Sequence, residues 1–421
     1  MQKTLDLKLA DIHTQPAASK AFILADAKDA DMAFGVGATG RSPESHAGEA
    51  RARSLAEYRD QIREIVRQGL VDIMLMSTST NDVLTIQERL FDTSAVTPAA
   101  RANDASDVFA IRGGSYLGEP ARPFRSSTLD HIQCGHVDCA PAERTRGADL
   151  GLYSITLNNR LQEDLATLEA YRQFRTEAER VGFRHFLEVF NPNAPQGLAT
   201  GDIPAFVNDH IARALAGVAQ AGRPLFLKTV YQGPRAMEEL VHYDPHLVVG
   251  VLGGSAGTTH DAFRLLHDAR KYGARAALFG RKINNAECQL AFVQFLRLLA
   301  DGEIEPAEAV RAYHGVLAKL KIKPWRTLED DLALTSGSVS YGETSGAASR
   351  RTSAADSPKE SKAVNENKKD CGCGCDGKKP GGCAEKKDAA HQTPQPVDFS
   401  KMTTAEKTAY QSDRRKRIFG W

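Results

Sequence analysis

The fold is decided by three apolar runs that each end in glycine and polar residues: RPLFLKTVYQG (223–233), LVVGVLGGSAGTTHDAF (247–263) and AALFGRKINNAE (276–287). Each run is too short for a typical helix and is apolar on both faces, which is typical of a strand buried in a parallel sheet. Helical patterns at 234–240 and 260–272 separate the runs. This alternation of strand and helix predicts βαβ units.

Lys228 lies within the first apolar run, where an ordinary lysine would be costly to bury. Desolvation lowers the pKa of a lysine and favours the neutral amine that a Schiff-base nucleophile requires. The alternative is a lysine at the end of a strand that pairs with a carboxylate of the barrel. The sequence therefore identifies Lys228 as a candidate nucleophile with a structural alternative.

The turns after the second and third runs are suited to an anion. Glycine allows the backbone to approach a ligand closely, and exposed N–H groups attract negative charge. Arginine adds a guanidinium group that can donate two parallel hydrogen bonds to an anion. Phosphate sites in (β/α)8 barrels are commonly built from the loops after strands seven and eight. The predicted phosphate-binding residues are Gly253, Gly254, Ser255, Gly280 and Arg281.

With this ordered set of lysine and glycine turns, the chain resembles the class I, Schiff-base aldolases of the deoxyribose-phosphate and archaeal-type fructose-bisphosphate aldolase superfamily. The stretch that carries the resemblance, 223–287, covers about a sixth of the 421 residues. The resemblance implies a (β/α)8 TIM barrel, an imine between Lys228 and a ketone or aldehyde, a phosphorylated sugar or related substrate, and no required cofactor. At the fifth strand that family usually has Tyr-Pro-Arg, whereas this chain has Phe190-Asn191-Pro192, so the proton donor must differ.

Asp26 is one candidate for the missing proton-transfer group. It follows the first predicted strand, 21–25, and the resemblance implies an acidic residue near the substrate at this point. Residues 26 and 28 share a face of an extended chain, so we expect Asp26 and Lys28 to point into the barrel mouth. The alternative is an acid that belongs only to a turn.

Glu188, on the fifth predicted strand, is the second candidate. A carboxyl group buried beside apolar neighbours has a raised pKa, which suits a general acid or base. The alternative is that Glu188 only pairs with Lys228 or Arg281 inside the barrel. Tyr153 and Tyr231 are further candidate proton donors, and the sequence does not choose among the four groups.

The remaining strands are predicted from short apolar runs at 71–77, 150–157 and 183–190, with the third strand at 95–100 or 107–112. Hydrophobic residues make up 42% and charged residues 25% of the chain, as in ordinary globular proteins. Lys plus Arg, 54, balance Asp plus Glu, 53, so no nucleic-acid partner is expected. With neither a membrane-length apolar run nor a secretory pattern, we expect a cytoplasmic protein, and a homo-oligomer.

The segment HIQCGHVDC (131–139) collects side chains that bind metals. Its spacing matches no standard zinc motif, so we expect packing and polar roles in a strand or extended loop, with no metal in the barrel. The scattered Cys134, Cys139 and Cys288 are expected to be reduced thiols.

The composition changes near residue 336. We expect a barrel over 1–330, a disordered linker over 331–400 and an amphipathic helix over 401–421. Four cysteines within the linker could bind zinc or copper(I), with occupancy left open: Cys371, Cys373, Cys375 and Cys383. A short helix on a linker is typical of a docking peptide, similar in layout to the peptides that direct enzymes to the shell of a bacterial microcompartment, although it could instead pack on the barrel.

Taken together, the sequence favours a lyase that cleaves or forms a C–C bond in a phosphorylated sugar or related carbonyl compound through a Lys228 Schiff base. Two alternatives remain. One is a different phosphate-binding barrel enzyme, such as an acyl transferase or isomerase. The other is a catalytically silent barrel that acts as a scaffold.

Overall fold

Eight parallel strands close into a barrel in a computed structural model that describes residues 1–42, 52–254 and 257–335. Sequential strands are neighbours throughout, and the last strand pairs with the first, so the sheet has no edge. The (β/α)8 prediction is confirmed. The strands are β1 Ile23–Lys28, β2 Ile73–Met76, β3 Thr97–Arg101, β4 Leu150–Thr156, β5 Arg184–Phe190, β6 Leu227–Thr229, β7 Val249–Leu252 and β8 Ala276–Phe279.

Helices follow the strands around the outside. They are α1 Thr4–Thr14, α2 Asp31–Phe34, α3 Leu55–Gln68, α4 Thr78–Asn81, α5 Leu129–Cys134, α6 Leu161–Arg180, α7 Ile203–Ala216, α8 Pro234–Tyr243, α9 Thr259–Lys271, α10 Arg281–Asn284, α11 Gln289–Asp301, α12 Pro306–Lys319 and α13 Leu328–Leu332, with a π-helical turn at Asp82–Gln87. α3 shows why such helices form. A capping box between Ser54 and Glu57 begins it, and Gly69 in the left-handed region ends it.

Alternation along the strands separates two apolar layers. One side of each strand packs against the surrounding helices, and the other side fills the barrel. At the centre of the barrel Phe186 of β5 and Phe226, the residue before β6, stack with ring centroids 4.6 Å apart. Leu5, Leu9 and Ile12 of α1 join this inner cluster, so α1 closes the amino-terminal end of the barrel.

The loop between β3 and α5 covers the carboxyl-terminal end of the barrel. It contains a two-stranded antiparallel ribbon formed by Asp104–Ala105 and Pro123–Phe124. Asn193, which follows β5, donates to the carbonyls of Leu117 and Glu119 and holds the loop down. Of the two predicted positions for the third strand, the structure has the earlier one.

The described chain stays packed on the barrel to its end at residue 335. Asp331 of α13 accepts a hydrogen bond from the N–H of Thr259 at 2.7 Å, and Thr335 donates to Asp261 at 2.6 Å. The predicted boundary at 330 therefore falls inside α13. The predicted cysteine cluster and terminal helix lie outside the described residues. Within the described ranges, no helix has the length and apolar character needed to cross a bilayer.

Candidate active site

An ion pair between Lys228 and Glu188 lies inside the barrel. The two residues are register partners on β6 and β5, and the Nζ of Lys228 lies 2.5 Å from the Oε1 of Glu188. Both side chains point inward, because Phe226 and Phe186, two residues earlier on each strand, stack at the centre of the barrel. Lys228 is 3% exposed and Glu188 is 0% exposed. The structural alternative is observed, because the amine of Lys228 faces the barrel interior and pairs with a carboxylate. Its role as a nucleophile stays a prediction.

Two further polar residues hold Glu188 from the other side, and a third holds one of these two. Ser154 of β4 donates to the Oε2 of Glu188 at 2.6 Å, and the guanidinium of Arg101 lies 3.7 Å from the same oxygen. Arg101, at the end of β3, also donates to Asp29 at 2.7 Å. The charges of Asp29, Arg101, Glu188 and Lys228 thus alternate in sign across the barrel.

Sequence reasoning missed Asp29, Arg101 and Ser154. The only signal for Arg101 was an arginine at the end of a weak strand pattern, TPAAR, whose position was left open. Asp29 lies close to Asp26, Lys28 and Asp31 in the sequence, so the direction of its side chain could not be predicted without the strand register.

An apolar layer covers the ion pair on the side of the barrel mouth. Phe190, Val230 and Leu252 form a cluster with Val108 of the covering loop. Phe190 and Val230 each follow the ion-pair residue of their strand by two positions and so face the same interior. Beside them Thr156 donates to Asp107 at 2.6 Å, and burial raises the pKa of that carboxyl group. Water is thereby excluded from the ion pair.

Asp26 lies on the opposite side of its strand from this site. Its carboxylate is 3.1 Å from the Nζ of Lys28, which donates to Asn284 at 2.5 Å and Gln289 at 2.9 Å, between the barrel and the helices. Burial raises the pKa of Asp26 to about 6. The expectation that Asp26 and Lys28 point into the barrel mouth is wrong, because Ala25 and Ala27 occupy the inner face of β1.

The two candidate tyrosines also face outward. Tyr153 packs on Phe174 of α6, with ring centroids 4.4 Å apart. Tyr231 belongs to the same layer between strands and helices. Burial raises the pKa of each phenol to about 12. Of the four proton-transfer candidates, the structure brings Glu188 alone to Lys228.

The predicted phosphate turns lie side by side after β7 and β8. The N–H of Gly253 donates to the carbonyl of Leu278 at 2.8 Å and so continues the ladder between these strands. A β-carbon on Gly253 would overlap the ring of Phe279, and one on Gly280 would lie 2.7 Å from the carbonyl oxygen of Ala27. Close packing therefore requires glycine at both positions.

The predicted phosphate site has three other members: Gly254, Arg281 and Ser255. Gly254 has a φ of +59°, a conformation that favours glycine. The guanidinium of Arg281 lies 4.9 Å from the centre of the Phe34 ring, at the barrel mouth. Ser255 lies outside the described residues. Phosphate binding by this group stays a prediction.

The segment 131–139 is arranged differently from the prediction. Its first part is the helix α5 rather than a strand or extended loop, with Thr128 as its N-cap. Cys134 and Cys139 form a disulfide, so the expectation of reduced thiols is wrong for this pair. Cys288 is free, as predicted.

Three cavities lie elsewhere on the described surface. The largest, about 630 Å³, is at the amino-terminal end of the barrel beside Lys3 and Asp149. A cavity of about 490 Å³ adjoins Asp31, and one of about 290 Å³ adjoins Lys282, whose pKa burial lowers to about 8. None of these three is lined by Lys228 or Glu188.

No protein family and no curated protein matches the chain. Among solved structures, it is similar to a fructose-bisphosphate aldolase from Slackia heliotrinireducens, with 16% identity and a TM-score of 0.50 over 74% of this chain and 91% of that one. An archaeal fructose 1,6-bisphosphate aldolase is 15% identical, with a TM-score of 0.49 over 70% of this chain and 99% of that one. At such identities the likeness concerns architecture, and the chain has the (β/α)8 fold of the Slackia aldolase.

Proposed function

We propose that the protein is a Schiff-base lyase that cleaves or forms a C–C bond in a phosphorylated sugar or related carbonyl compound. The observation that carries the proposal is the buried, inward-facing pair of Lys228 and Glu188 on adjacent strands. An amine nucleophile within contact of a carboxylate that can take its proton is the arrangement that covalent carbonyl chemistry requires.

The first step joins the amine to the carbonyl. Glu188 accepts a proton from the ammonium group of Lys228, and the neutral amine attacks the carbonyl carbon. The carbonyl oxygen then takes up two protons, one of them returned by Glu188, and leaves as water. Overall, one ammonium and one carbonyl group give one protonated imine and one water.

The second step breaks the C–C bond. Glu188, again a carboxylate, removes the proton from the hydroxyl group on the β-carbon, and the electron pair of the C–C bond moves into the imine to give an enamine. The aldehyde fragment departs. Glu188 returns its proton to the enamine carbon, and hydrolysis of the imine releases the second fragment and restores the ammonium group of Lys228.

Arg101 and Ser154 hold Glu188 with one oxygen directed at Lys228. They position the carboxylate and leave its other oxygen free to face the amine. The apolar layer of Phe190, Val230 and Leu252 limits the access of water to the imine. These contacts allow one carboxylate to serve as base and then as acid.

Support for a phosphorylated substrate comes from the position of the glycine turns. Lys228 pairs with Gly250 on β7, and Gly253 follows three residues later, about 10 Å further toward the mouth. That span suits a phosphate at one end of a short sugar whose carbonyl reaches the amine. Because the N–H of Gly253 is engaged in the sheet, we assign the anion to Gly254, Ser255 and Arg281.

Borohydride trapping tests the proposal. The protein is incubated with phosphorylated ketoses and aldehydes, reduced, digested and analysed by mass spectrometry. We expect a substrate-dependent mass gain on the peptide that contains Lys228. Lys228→Arg keeps a charge beside Glu188 but cannot form the imine, so it should lose the gain, whereas Lys319→Arg on the exposed face of α12 should keep it.

Absence of a mass gain with every substrate, in a protein whose fold is intact by circular dichroism, would favour the isomerase, acyl transferase or scaffold alternatives. A mass gain on other lysines that survives in Lys228→Arg would contradict the assignment of the nucleophile.

We further propose that the protein is a cytoplasmic homo-oligomer whose segment 401–421 docks to a partner such as a microcompartment shell, and that the tail cysteines bind a soft metal. The composition of the tail supports this proposal. Pull-downs with the full chain and with a chain lacking 401–421 test the docking: identical partners from both would contradict it.

A further inference from the structure

Three metal-binding side chains meet just after α5, and a fourth is joined to one of them. Ligand atoms of Cys134, His136 and Glu143 all lie within 4.8 Å of one another, and Cys139 is bonded to Cys134. The Nε2 of His136 is 3.5 Å from the Oε2 of Glu143. With metal–ligand distances of about 2.0–2.3 Å, the ligand atoms of a tetrahedral zinc site lie about 3.3–3.8 Å apart. Small side-chain movements would bring this cluster to that geometry.

The imidazole of His136 is oriented as in a metal ligand. Its Nδ1 lies 2.8 Å from the carbonyl oxygen of Val137. A proton on Nδ1 donated to this carbonyl leaves the lone pair on Nε2, the nitrogen that faces Glu143. Glu143 is itself held by the N–H of Ala140 at 3.2 Å and by Arg146 at 3.0 Å. The exposed His136 and the partly buried Glu143 therefore both have supporting contacts of the kind found around bound metals.

The backbone between the ligands is also constrained. Gly135 and Asp138 both have positive φ, at +88° and +57°, and such a conformation is uncommon for aspartate. Asp130 accepts from the N–H of Cys139 at 3.3 Å and pairs with Arg144 at 2.8 Å. The two left-handed residues turn a short segment back on itself, and Cys139 at its end reaches Cys134.

We propose that Cys134, His136, Cys139 and Glu143 form a zinc site in the reduced protein, and that the disulfide and the zinc complex are alternative states of this loop. A thiol reductant gives two electrons and two protons to the disulfide and becomes a disulfide itself. Zn²⁺ then displaces the two thiol protons. Two thiolates, one imidazole and one carboxylate make a closed, four-coordinate set suited to zinc, and the oxygen ligand disfavours copper(I).

The sequence did not predict this site, because its spacing, C-x-H-x2-C-x3-E, belongs to no standard motif. In addition, Glu143 lies outside the segment 131–139. It lies outside the Lys228 chamber and does not depend on the proposed lyase activity. A bound ion would fasten α5 to the segment that leads into β4.

Zinc stoichiometry tests the inference in the full chain. The four tail cysteines are first replaced by serine, because they would bind zinc themselves. We expect about one zinc per chain after reduction and gel filtration, and less than about 0.2 after oxidation by diamide, with recovery on renewed reduction. Cobalt(II) added to the reduced protein should give the thiolate charge-transfer band and the strong visible bands of a tetrahedral site.

Variants separate this site from adventitious binding. His136→Ala, at a half-exposed side chain, and Cys139→Ser should each lose the bound zinc while circular dichroism stays unchanged, and Cys288→Ser should keep it. Zinc retained by His136→Ala and Cys139→Ser, zinc that survives oxidation, or no zinc in the reduced parent would overturn the proposal.

Discussion

At the scale of single residues, the barrel interior is defined by charges that water cannot reach. Lys228 and Glu188 are almost completely buried, and each contacts a partner of opposite sign. Removing one partner of such a pair is costly because an uncompensated charge remains, whereas the intact pair adds little to stability. The buried pair is therefore weak evidence for a role in stability, and the variants below test its proposed role in chemistry.

Glu188→Gln tests the role of this carboxylate. Glutamine keeps the volume but cannot accept the proton of Lys228, so we expect the rate of imine trapping to fall about 10²–10⁴-fold. The free energy of unfolding should fall by about 3–5 kcal/mol. Quenched borohydride time courses and urea titrations measure both quantities. The exposed Glu303→Gln is the control, and a Glu188→Gln protein with the parent trapping rate would exclude a proton-transfer role.

Asp26 should give the stability of the protein a pH dependence of its own. Its folded-state pKa of about 6 is above the usual value near 3.8, so the folded protein binds the proton more tightly than the unfolded chain. The contribution of Asp26 is therefore present below pH 4 and lost as the pH rises to about 6. We expect wild type to lose more stability than Asp26→Asn between these pH values.

Urea titrations at pH 4, 5 and 6 measure this difference, with Asp60→Asn on the exposed face of α3 as the control. Parallel pH profiles for wild type and Asp26→Asn would contradict the raised pKa.

At the scale of elements, the sequence predicted the strands but not always their inner face. Three short apolar runs were enough to place β6, β7 and β8, because apolar runs of that length between helical segments are typical of buried strands. β1 is buried at all six positions, so no alternation of apolar and polar residues distinguishes its two faces. For that reason the sequence wrongly predicts that Asp26 points into the barrel mouth, and it does not indicate Asp29.

The disulfide between Cys134 and Cys139 could not be predicted, because it depends on the left-handed backbone at Gly135 and Asp138.

Because Lys228 is buried beneath an apolar layer that the loop between β3 and α5 contacts, the proposed function requires this loop to open. Val108 is its contact with the apolar layer over the ion pair. Val108→Ala removes about 1.5 kcal/mol of apolar contact. If that energy is lost only from the closed state of the loop, the population of molecules with an open loop rises about 10-fold.

We therefore expect the second-order rate constant for imine trapping to rise by up to that factor, measured against Ile111→Ala, an exposed position on the same loop. A rate that is the same in both variants would show that substrate enters by another route.

At the scale of the whole molecule, the barrel is closed at both ends, and α1 is the closure at the amino-terminal end. Leu5 of α1 is fully buried in the inner cluster, while Leu7 on the same helix is 47% exposed. We expect Leu5→Ala to lower the free energy of unfolding by about 2–5 kcal/mol and Leu7→Ala to change it by less than about 0.5 kcal/mol. Urea titrations measure both, and equal effects would show that α1 does not seal the barrel.

The alternating order of Asp29, Arg101, Glu188 and Lys228 has a consequence for energetics along the reaction path. A protonated imine carries the same single positive charge as the ammonium group from which it forms. In the proposed reaction, covalent capture of the substrate would therefore leave the electrostatic balance around Lys228 unaltered, and the surrounding dipoles would need little reorganisation. An interior arranged in this way is already organised for the proposed covalent intermediate when the substrate binds.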